Sequence, residues 1–174
     1  MQPKRIEHHY HFCPQCGVKN NCPTEVPFRC KPCGFTQFFG PVAAVGALIC
    51  NKRDELLLVR RARNPGKGRW GLPGGFIDRG ESVETAMRRE VREETQLEIC
   101  DARYLTSFPN DYDYQGIVSP VVDLFYTARV IDPATIVLAK DELDHHIWVR
   151  PNAEQLEQMA FPSNRFAVER WLNR

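Results

Sequence analysis

The distribution of apolar and polar positions changes near Gly40, and the two sides predict different architectures. Beyond Gly40, Val42–Ile49 is a continuous apolar run suited to a buried strand. Glu55–Arg60 reads as its partner, with a turn at Asn51–Asp54 between them and a Pro/Gly loop at Asn64–Gly68 after it. From Ser82 to Thr95 the period lengthens, and Val83, Ala86, Met87 and Val91 fall on one helical face. Ser82 is the expected N-cap, and Glu84 in the first turn suits the helix dipole. Val118–Val130, Ile136–Leu138 and Ile147–Val149 read as strands. Ala153–Met159 and Ser163–Leu172 read as helices, the second capped by Ser163 after Pro162. Strands and helices alternate without the Gly-rich dinucleotide fingerprint, which predicts a mixed α/β layered fold.

Before Gly40 there is no such period. Residues 1–12 are polar and His-bearing and are expected to form a loose lead-in. Residues 13–34 are dense in Cys, Pro, Gly and Asn, with too few large apolar side chains to fold unaided. The expected organisation is a small unit over 1–40 and a larger domain over 41–174, sizes that fit a chain of 174 residues.

Charge and composition narrow the class. With 23 basic and 22 acidic side chains the net charge is +1, so no whole-molecule field draws the chain to nucleic acid or anionic membrane. The longest apolar stretch, Val42–Cys50, is less than half the length a bilayer span requires. The first residues have no apolar signal-peptide core. These features predict no membrane association and a cytoplasmic location. The seven cysteines, an odd number, are then expected as reduced thiols, some of them holding a metal.

Four of the cysteines form two Cys-x-x-Cys-Gly turns, Cys13/Cys16 and Cys30/Cys33. Four thiolates in two such turns match tetrahedral Zn²⁺ at about 2.3 Å, and a shell of four sulfurs leaves no open position for water, so the metal is expected to be structural. A redox dithiol is the weaker alternative, as are Cys22, His8, His9 and His11 as competing ligands. The arrangement resembles a zinc ribbon. Its segment to Gly40 carries Lys4, Arg5, Lys19, Arg29 and Lys31 against Glu7 and Glu25, a net of +3. That is ordinary surface charge, and nucleic acid is carried only as a second reading.

The chemistry concentrates in Gly75–Leu97. Glu90 and Glu94 are four apart and Glu90 and Glu93 three apart, so the three carboxylates can converge on one side of a helix. Hard oxygen donors favour Mg²⁺ or Mn²⁺, which commonly serve a phosphate substrate. The Gly71–Gly75 loop upstream lets backbone approach a metal or phosphate closely. A solvated helix neutralised by Arg88, Arg89 and Arg92 is the alternative that the glutamates alone leave open.

This stretch resembles the Nudix box: a Gly, five residues, a Glu, seven residues, then Arg-Glu-apolar-x-Glu-Glu-x-Gly-apolar. Gly75, Glu81, Arg89, Glu90, Val91, Glu93, Glu94 and Leu97 take the matching positions, and Trp70-Gly-Leu-Pro-Gly-Gly75 resembles the family's lead-in. Gln96 departs, standing where the family has Gly; a left-handed turn there is expected to cost on the order of 1 kcal/mol.

The resemblance implies a Nudix α/β/α sandwich with a mixed sheet, plus the small N-terminal zinc ribbon. It implies a Mg²⁺-dependent (or Mn²⁺-dependent) pyrophosphohydrolase acting on a nucleoside diphosphate derivative, with ADP-ribose, NADH, FAD and dinucleoside polyphosphates as candidates. By the same analogy Glu90 and Glu94 are the main metal ligands, Glu93 is a further ligand or water activator, and the Gly74 carbonyl joins the shell. Arg89 would orient the glutamates, Glu81 would brace the loop, and Gly75 belongs to the same supporting set. Some relatives take their general base from a later loop, and Glu142 is the first choice here over Asp141 and Asp144. Phe108, Tyr112 and Tyr114 are aromatic candidates for stacking on a base, and Arg60, Arg61, Lys67 and Arg69 are candidates for phosphate. Phe161–Arg165 is a further candidate lining segment. A zinc ribbon joined to a Nudix domain resembles NADH pyrophosphatases, some of which remove NAD caps from RNA, although only Ser107–Pro109 echoes their longer signature. The rival from another class is a nucleotide-sensing regulator that uses its ribbon to bind nucleic acid or protein. The family also suggests a homodimer.

Overall fold

The apolar run after Gly40 becomes the middle of a sheet, because both of its faces are covered. The computed structural model describes residues 4–22, 24–132 and 136–174. In chain order its strands are β1 (Lys4–Arg5), β2 (Phe28–Arg29), β3 (Thr36–Gln37), β4 (Val42–Cys50), β5 (Leu56–Arg61), β6 (Trp70–Gly71), β7 (Gly74–Phe76), β8 (Ile99–Tyr114), β9 (Ile117–Val130) and β10 (Leu143–Val149). The helices are α1 (Val83–Thr95), α2 (Ala153–Glu157) and α3 (Pro162–Leu172). Two units separate: Met1–Val42 with Asp111–Pro120, and Ala43–Asn110 with Val121–Arg174.

In the second unit the order is β9-β4-β5-β10, with β8 on β9, β7 on β4 and β6 on β5. Val45, Ala47 and Ile49 of β4 pack with Ala86, Met87 and Val91 of α1. Leu48 and Cys50, on the opposite side, pack with Phe125 and with Ala167, Val168 and Trp171 of α3. Alternating residues thus feed two cores, which is why β4 reads as unbroken apolar sequence. The result is the layered α/β/α arrangement around a mixed sheet expected from the sequence. Among the described residues no helix is long and apolar enough to cross a membrane.

Several elements differ from the sequence expectation. Ile136–Leu138 is not a strand. Val137 and Ala139 instead donate their amides to the carbonyls of Thr95 and Glu94, both at 3.0 Å, satisfying acceptors left open at the end of α1. Ile99–Tyr114 is one long strand, although its polar and aromatic composition lacks a clean period. α3 begins at Pro162 with Phe161 as N-cap; Ser163 lies inside the helix, buried, and donates its hydroxyl to Asp123 at 2.5 Å. Lys4–His9 of the lead-in has regular structure: β1 runs parallel to β9, pairing Lys4 and Arg5 with Ile117 and Val118, and Ile6–His9 forms a 3-10 turn.

Candidate functional site

Helix α1 forms where the sequence placed it. Ser82 is extended and accepts the Thr85 amide at 3.2 Å, and the buried stripe Ala86, Met87 and Val91 turns the polar face outward. Gln96 takes the left-handed conformation (φ 59°) expected of the family's glycine, donating its amide to Arg92 O. Upstream, β7 is held against β4 through Ala44–Phe76, Val45–Gly75 and Gly46–Gly74 pairing. That register lays the Gly74–Gly75 backbone along the glutamate face of α1. A Cβ on Gly75 would stand 2.6 Å from the Glu90 Cδ and Oε1, so only glycine lets this carboxylate lie on the loop. Gly74 (φ 147°) donates its amide to Glu94 Oε2 at 2.9 Å.

Arg89 organises the acids. Its Nε and Nη2 grip the two Glu81 oxygens at 2.8 and 2.9 Å, and Nη1 reaches Glu90 Oε1 at 2.8 Å and Glu93 Oε2 at 3.1 Å. Nη2 also donates to the Phe76 carbonyl at 3.1 Å, joining helix to loop. These bonds raise the Arg89 pKa well above its usual value and lower that of Glu81. Glu81 also accepts the Asp78 amide at 3.0 Å, bracing the loop. Glu90 behaves differently: burial raises its carboxyl, Arg89 opposes the shift, and the charges of Glu93 and Glu142 add to it. Glu94, only 7% exposed, is pushed up to about 8 by burial and by the Glu90 and Glu142 charges, against the Gly74 amide and the Arg61 charge. Glu93 has a side chain 60% exposed on the outer side of Arg89. Hard oxygen donors that burial and mutual repulsion hold back from ionising fit a divalent cation, which would relieve both penalties.

Glu142 acts on Glu90 and Glu94 through its charge, and its backbone is tied to two elements. Ala139, tied to the Glu94 carbonyl, accepts the Glu142 amide at 2.9 Å, and the Ala62 amide after β5 donates to the Glu142 carbonyl at 2.7 Å. Asp144 is drawn elsewhere, onto Arg60 at 2.6 Å, so Arg60 is a surface ion-pair partner. Arg69 is exposed, with Nη1 3.4 Å from the Met159 carbonyl. Arg61 is the strand cation whose charge bears on Glu94. It is held by a 2.6 Å bond from Nε to Pro65 O and by the Phe161 ring 5.1 Å from its Cζ. Phe108 packs into the α3 core, 5.5 Å from Phe166 and 6.4 Å from Phe125 by ring centroid. Tyr112 and the exposed Tyr114 lie in Asp111–Pro120, within the first unit. Sequence reasoning overlooked Asp123, a buried carboxyl that burial raises and that Ser163 and Asn110 hydrogen-bond. The signal was available: an acid inside the apolar Val118–Val130 run.

In the first unit the two cysteine turns are near copies. Cys13 and Cys30 accept the amides of Gly17 and Gly34 at 2.9 and 2.8 Å and donate their own to Val18 and Phe35 O, both at 2.8 Å. All four ligand sulfurs lie within 4.8 Å of one another, with Cys13–Cys33 at 3.7 Å and Cys16–Cys30 at 3.6 Å. A disulfide needs about 2.05 Å. A tetrahedron with Zn–S bonds of about 2.3 Å has edges of roughly 3.8 Å, so the quartet fits zinc. Cys22 and the histidines are outside this group, which is the one such cluster of mutually close ligand atoms among the described residues. Tyr10, Phe28, Phe35 and Phe39 pack behind it, with β2 and β3 pairing beside them.

Similarity to known proteins follows the same outline. The NUDIX domain profile matches residues 40–170. Over 141 residues the chain is 34% identical to the NAD-capped RNA hydrolase NudC of Haemophilus influenzae, covering 79% of this chain and 50% of that protein. A 60-residue stretch is 47% identical to the ADP-ribose pyrophosphatase of Methanocaldococcus jannaschii, covering 34% of this chain and 35% of that protein. The chain therefore spans half or less of the length of these curated relatives. Among solved structures, the NUDIX domain of Shewanella oneidensis NrtR complexed with ADP ribose aligns with TM-score 0.64 and 27% identity, over 79% of this chain and 90% of that one. A MutT NUDIX hydrolase from Burkholderia pseudomallei aligns with TM-score 0.59 and 28% identity, over 75% and 98%. With the box residues gathered between α1 and the β7 loop, and the profile covering most of the sequence, this chain belongs to the Nudix family.

Proposed function

We propose that this chain is a divalent-metal-dependent pyrophosphohydrolase that splits the diphosphate linkage of an adenosine-diphosphate derivative such as ADP-ribose or NAD(H). The observation that carries the reading is the pair Glu90 and Glu94 beside the Gly74–Gly75 loop, with the Glu142 charge acting on both. Both carboxyls are raised by burial and mutual repulsion, beside a glycine loop that only a missing side chain allows so close. Nudix enzymes generally use divalent metal ions. Glu90, Glu94 and the Gly74 carbonyl are the assigned ligands, with Glu93 peripheral. A bound Mg²⁺ or Mn²⁺ would neutralise diphosphate charge and make a water more acidic.

The chain's own residues supply the rest. Arg89 holds Glu90 in one rotamer through its 2.8 Å bond, and Gly74 holds Glu94 by its amide. Glu142 accepts the proton of the attacking water at its carboxylate. The water oxygen bonds to phosphorus as the bridging P–O bond breaks, giving AMP and a second monophosphate. Arg61, held by Pro65 and Phe161, is assigned to phosphate ahead of Arg60, which is paired with Asp144, and of Arg69. Cys13, Cys16, Cys30 and Cys33 are assigned to one structural Zn²⁺ that stabilises the residues before Gly40 as a ribbon.

The choice of adenosine diphosphate as the shared moiety is supported by relatives described as an ADP-ribose pyrophosphatase and NAD-capped RNA hydrolases, and by a structural neighbour complexed with ADP ribose. The NudC similarity also favours NAD-capped RNA as a larger substrate for the same chemistry. The test is turnover of ADP-ribose, NAD, NADH, FAD, diadenosine polyphosphates and NAD-capped RNA with Mg²⁺ in ¹⁸O-water. ADP-ribose, NAD, NADH or FAD is expected to give AMP plus a second monophosphate, and NAD-capped RNA to give NMN plus 5′-monophosphate RNA, with the ¹⁸O label marking the phosphorus attacked. No turnover of any of them would falsify the reading, and a Glu94→Gln variant that binds metal as the parent does would overturn the ligand assignment. For the ribbon, elemental analysis is expected to find one zinc per chain and none in Cys30→Ser.

A further inference from the structure

We propose that Arg63 is a positioning residue that sets the Glu142 carboxylate for proton transfer; the role rests on the base assignment made above. Arg63 lies just beyond β5, and its Nη2 stands 2.7 Å from Glu142 Oε2. The segment that carries Arg63 also holds the Glu142 backbone, through the 2.7 Å bond from the Ala62 amide to the Glu142 carbonyl. From the other side, the Glu142 amide is held by Ala139, which is itself bonded to the Glu94 carbonyl at the end of α1. The amide, carbonyl and one carboxylate oxygen of Glu142 are thus each fixed, by elements on two sides of the cluster. The second oxygen is the one assigned to take the proton.

The edge strand explains why Glu142 and not Asp144 is presented. Leu143 pairs with Arg61, but His145 pairs with Arg60, so one extra residue, Asp144, bulges from β10. Bulges re-aim side chains. Asp144 turns onto Arg60, while Glu142, two residues earlier, meets Arg63. Arg63 thus holds one Glu142 oxygen from the β5 side, while the backbone of Glu142 is held from both sides. The ion pair contributes little to folding: its side chains are 58% and 33% exposed, and such pairs are worth about 0–1 kcal/mol. Its consequence is geometric, since a displacement of about 1 Å in a catalytic group can cost roughly 100-fold in rate.

The test uses full-length, zinc-replete protein with Mg²⁺ and the best substrate from the panel above. It compares Arg63→Gln, Arg63→Lys, Glu142→Gln and the Arg63→Gln/Glu142→Gln double variant. Arg63→Gln is expected to lower kcat by about tenfold or more with KM and Tm nearly unchanged, and Arg63→Lys to restore part of the loss. In the Glu142→Gln background, Arg63→Gln is expected to add nothing, because the two act through one carboxylate. A parental kcat in Arg63→Gln beside an inactive Glu142→Gln overturns this proposal alone. So does a raised KM at unchanged kcat, which would make Arg63 a substrate contact, or a double variant whose losses multiply. An active Glu142→Gln overturns the base assignment and the proposal together, and a parent inert toward the whole panel overturns the proposed function with both. Independently of turnover, ¹⁵N NMR is expected to find hindered rotation of the Arg63 guanidinium in the parent and free rotation in Glu142→Gln. Free rotation in the parent refutes the positioning role.

Discussion

Replacing Glu94 by Gln in divalent-free protein is expected to stabilise the fold, because the native carboxyl is buried against its own ionisation. Its pKa stands near 8 in the folded chain against a reference of 4.5. Between those values the folded state retains a proton that the unfolded state releases, so stability falls as pH rises from about 4.5 and levels off above about 8. At about 1.36 kcal/mol per pH unit, the interval from 4.5 to 7 corresponds to roughly 3 kcal/mol, and that to 8 to roughly 5. Gln has nearly the same shape and can accept the Gly74 amide bond without carrying charge. The assay is urea unfolding at pH 5, 7 and 8 in buffer stripped of Mg²⁺ and Mn²⁺ with zinc retained. The parent is expected to lose stability across that range. Glu94→Gln should be more stable than the parent by roughly 3 kcal/mol at pH 7, keeping only the part of the slope that Glu90 contributes, whose carboxyl burial also raises. Added Mg²⁺ should then stabilise the parent and leave the variant little changed, by preferential binding to the folded site. A variant that unfolds more readily than the parent at pH 7, or that keeps the parent's full pH slope, would refute the reasoning.

Three further expectations follow from the geometry. Gly75→Ala should cut kcat by about 100-fold with the fold intact by circular dichroism, because its Cβ displaces the Glu90 carboxyl from 2.6 Å; parental kinetics would contradict the close approach. Gln96→Gly should raise Tm by about 2–3 °C, since the left-handed φ of 59° strains a side chain by more than glycine's added entropy costs; an unchanged or lower Tm in a thermal melt counts against it. Ser163→Ala should cost about 1–3 kcal/mol in urea unfolding, by removing a donor from the buried Asp123 carboxyl, and a neutral result would mean that Asn110 suffices.

The features legible from sequence are those fixed by near neighbours. Box spacing places Glu90 and Glu94 one helical turn apart wherever the helix packs, and the N-cap at Ser82 and the αL residue at Gln96 are properties of a few consecutive residues. The two Cys-x-x-Cys-Gly turns form by local amide bonds, so their convergence needed only one small core behind them. Where the chain depends on partners far along the sequence, local pattern failed. Ile136–Leu138 is β-rich in composition yet serves as a strap on α1, because unsatisfied helix carbonyls were the available partners. Phe108 offered the same aromatic signal as a stacking residue and was taken by the α3 core.

The sequence alone determined the helix bearing the glutamates, the glycine loop facing it, the buried central strand and the four-thiol ribbon, because periodicity and spacing act over one or two turns of chain. Only the tertiary structure decided the rest of the site. It set the Glu142 charge against Glu90 and Glu94 while a bulge sent Asp144 to Arg60. It set Arg61 near Glu94 and buried Asp123 beside Ser163. Those outcomes depend on which strand lies beside which, in what register, and on the dielectric and charge that packing creates, none of which is carried by any short window of residues.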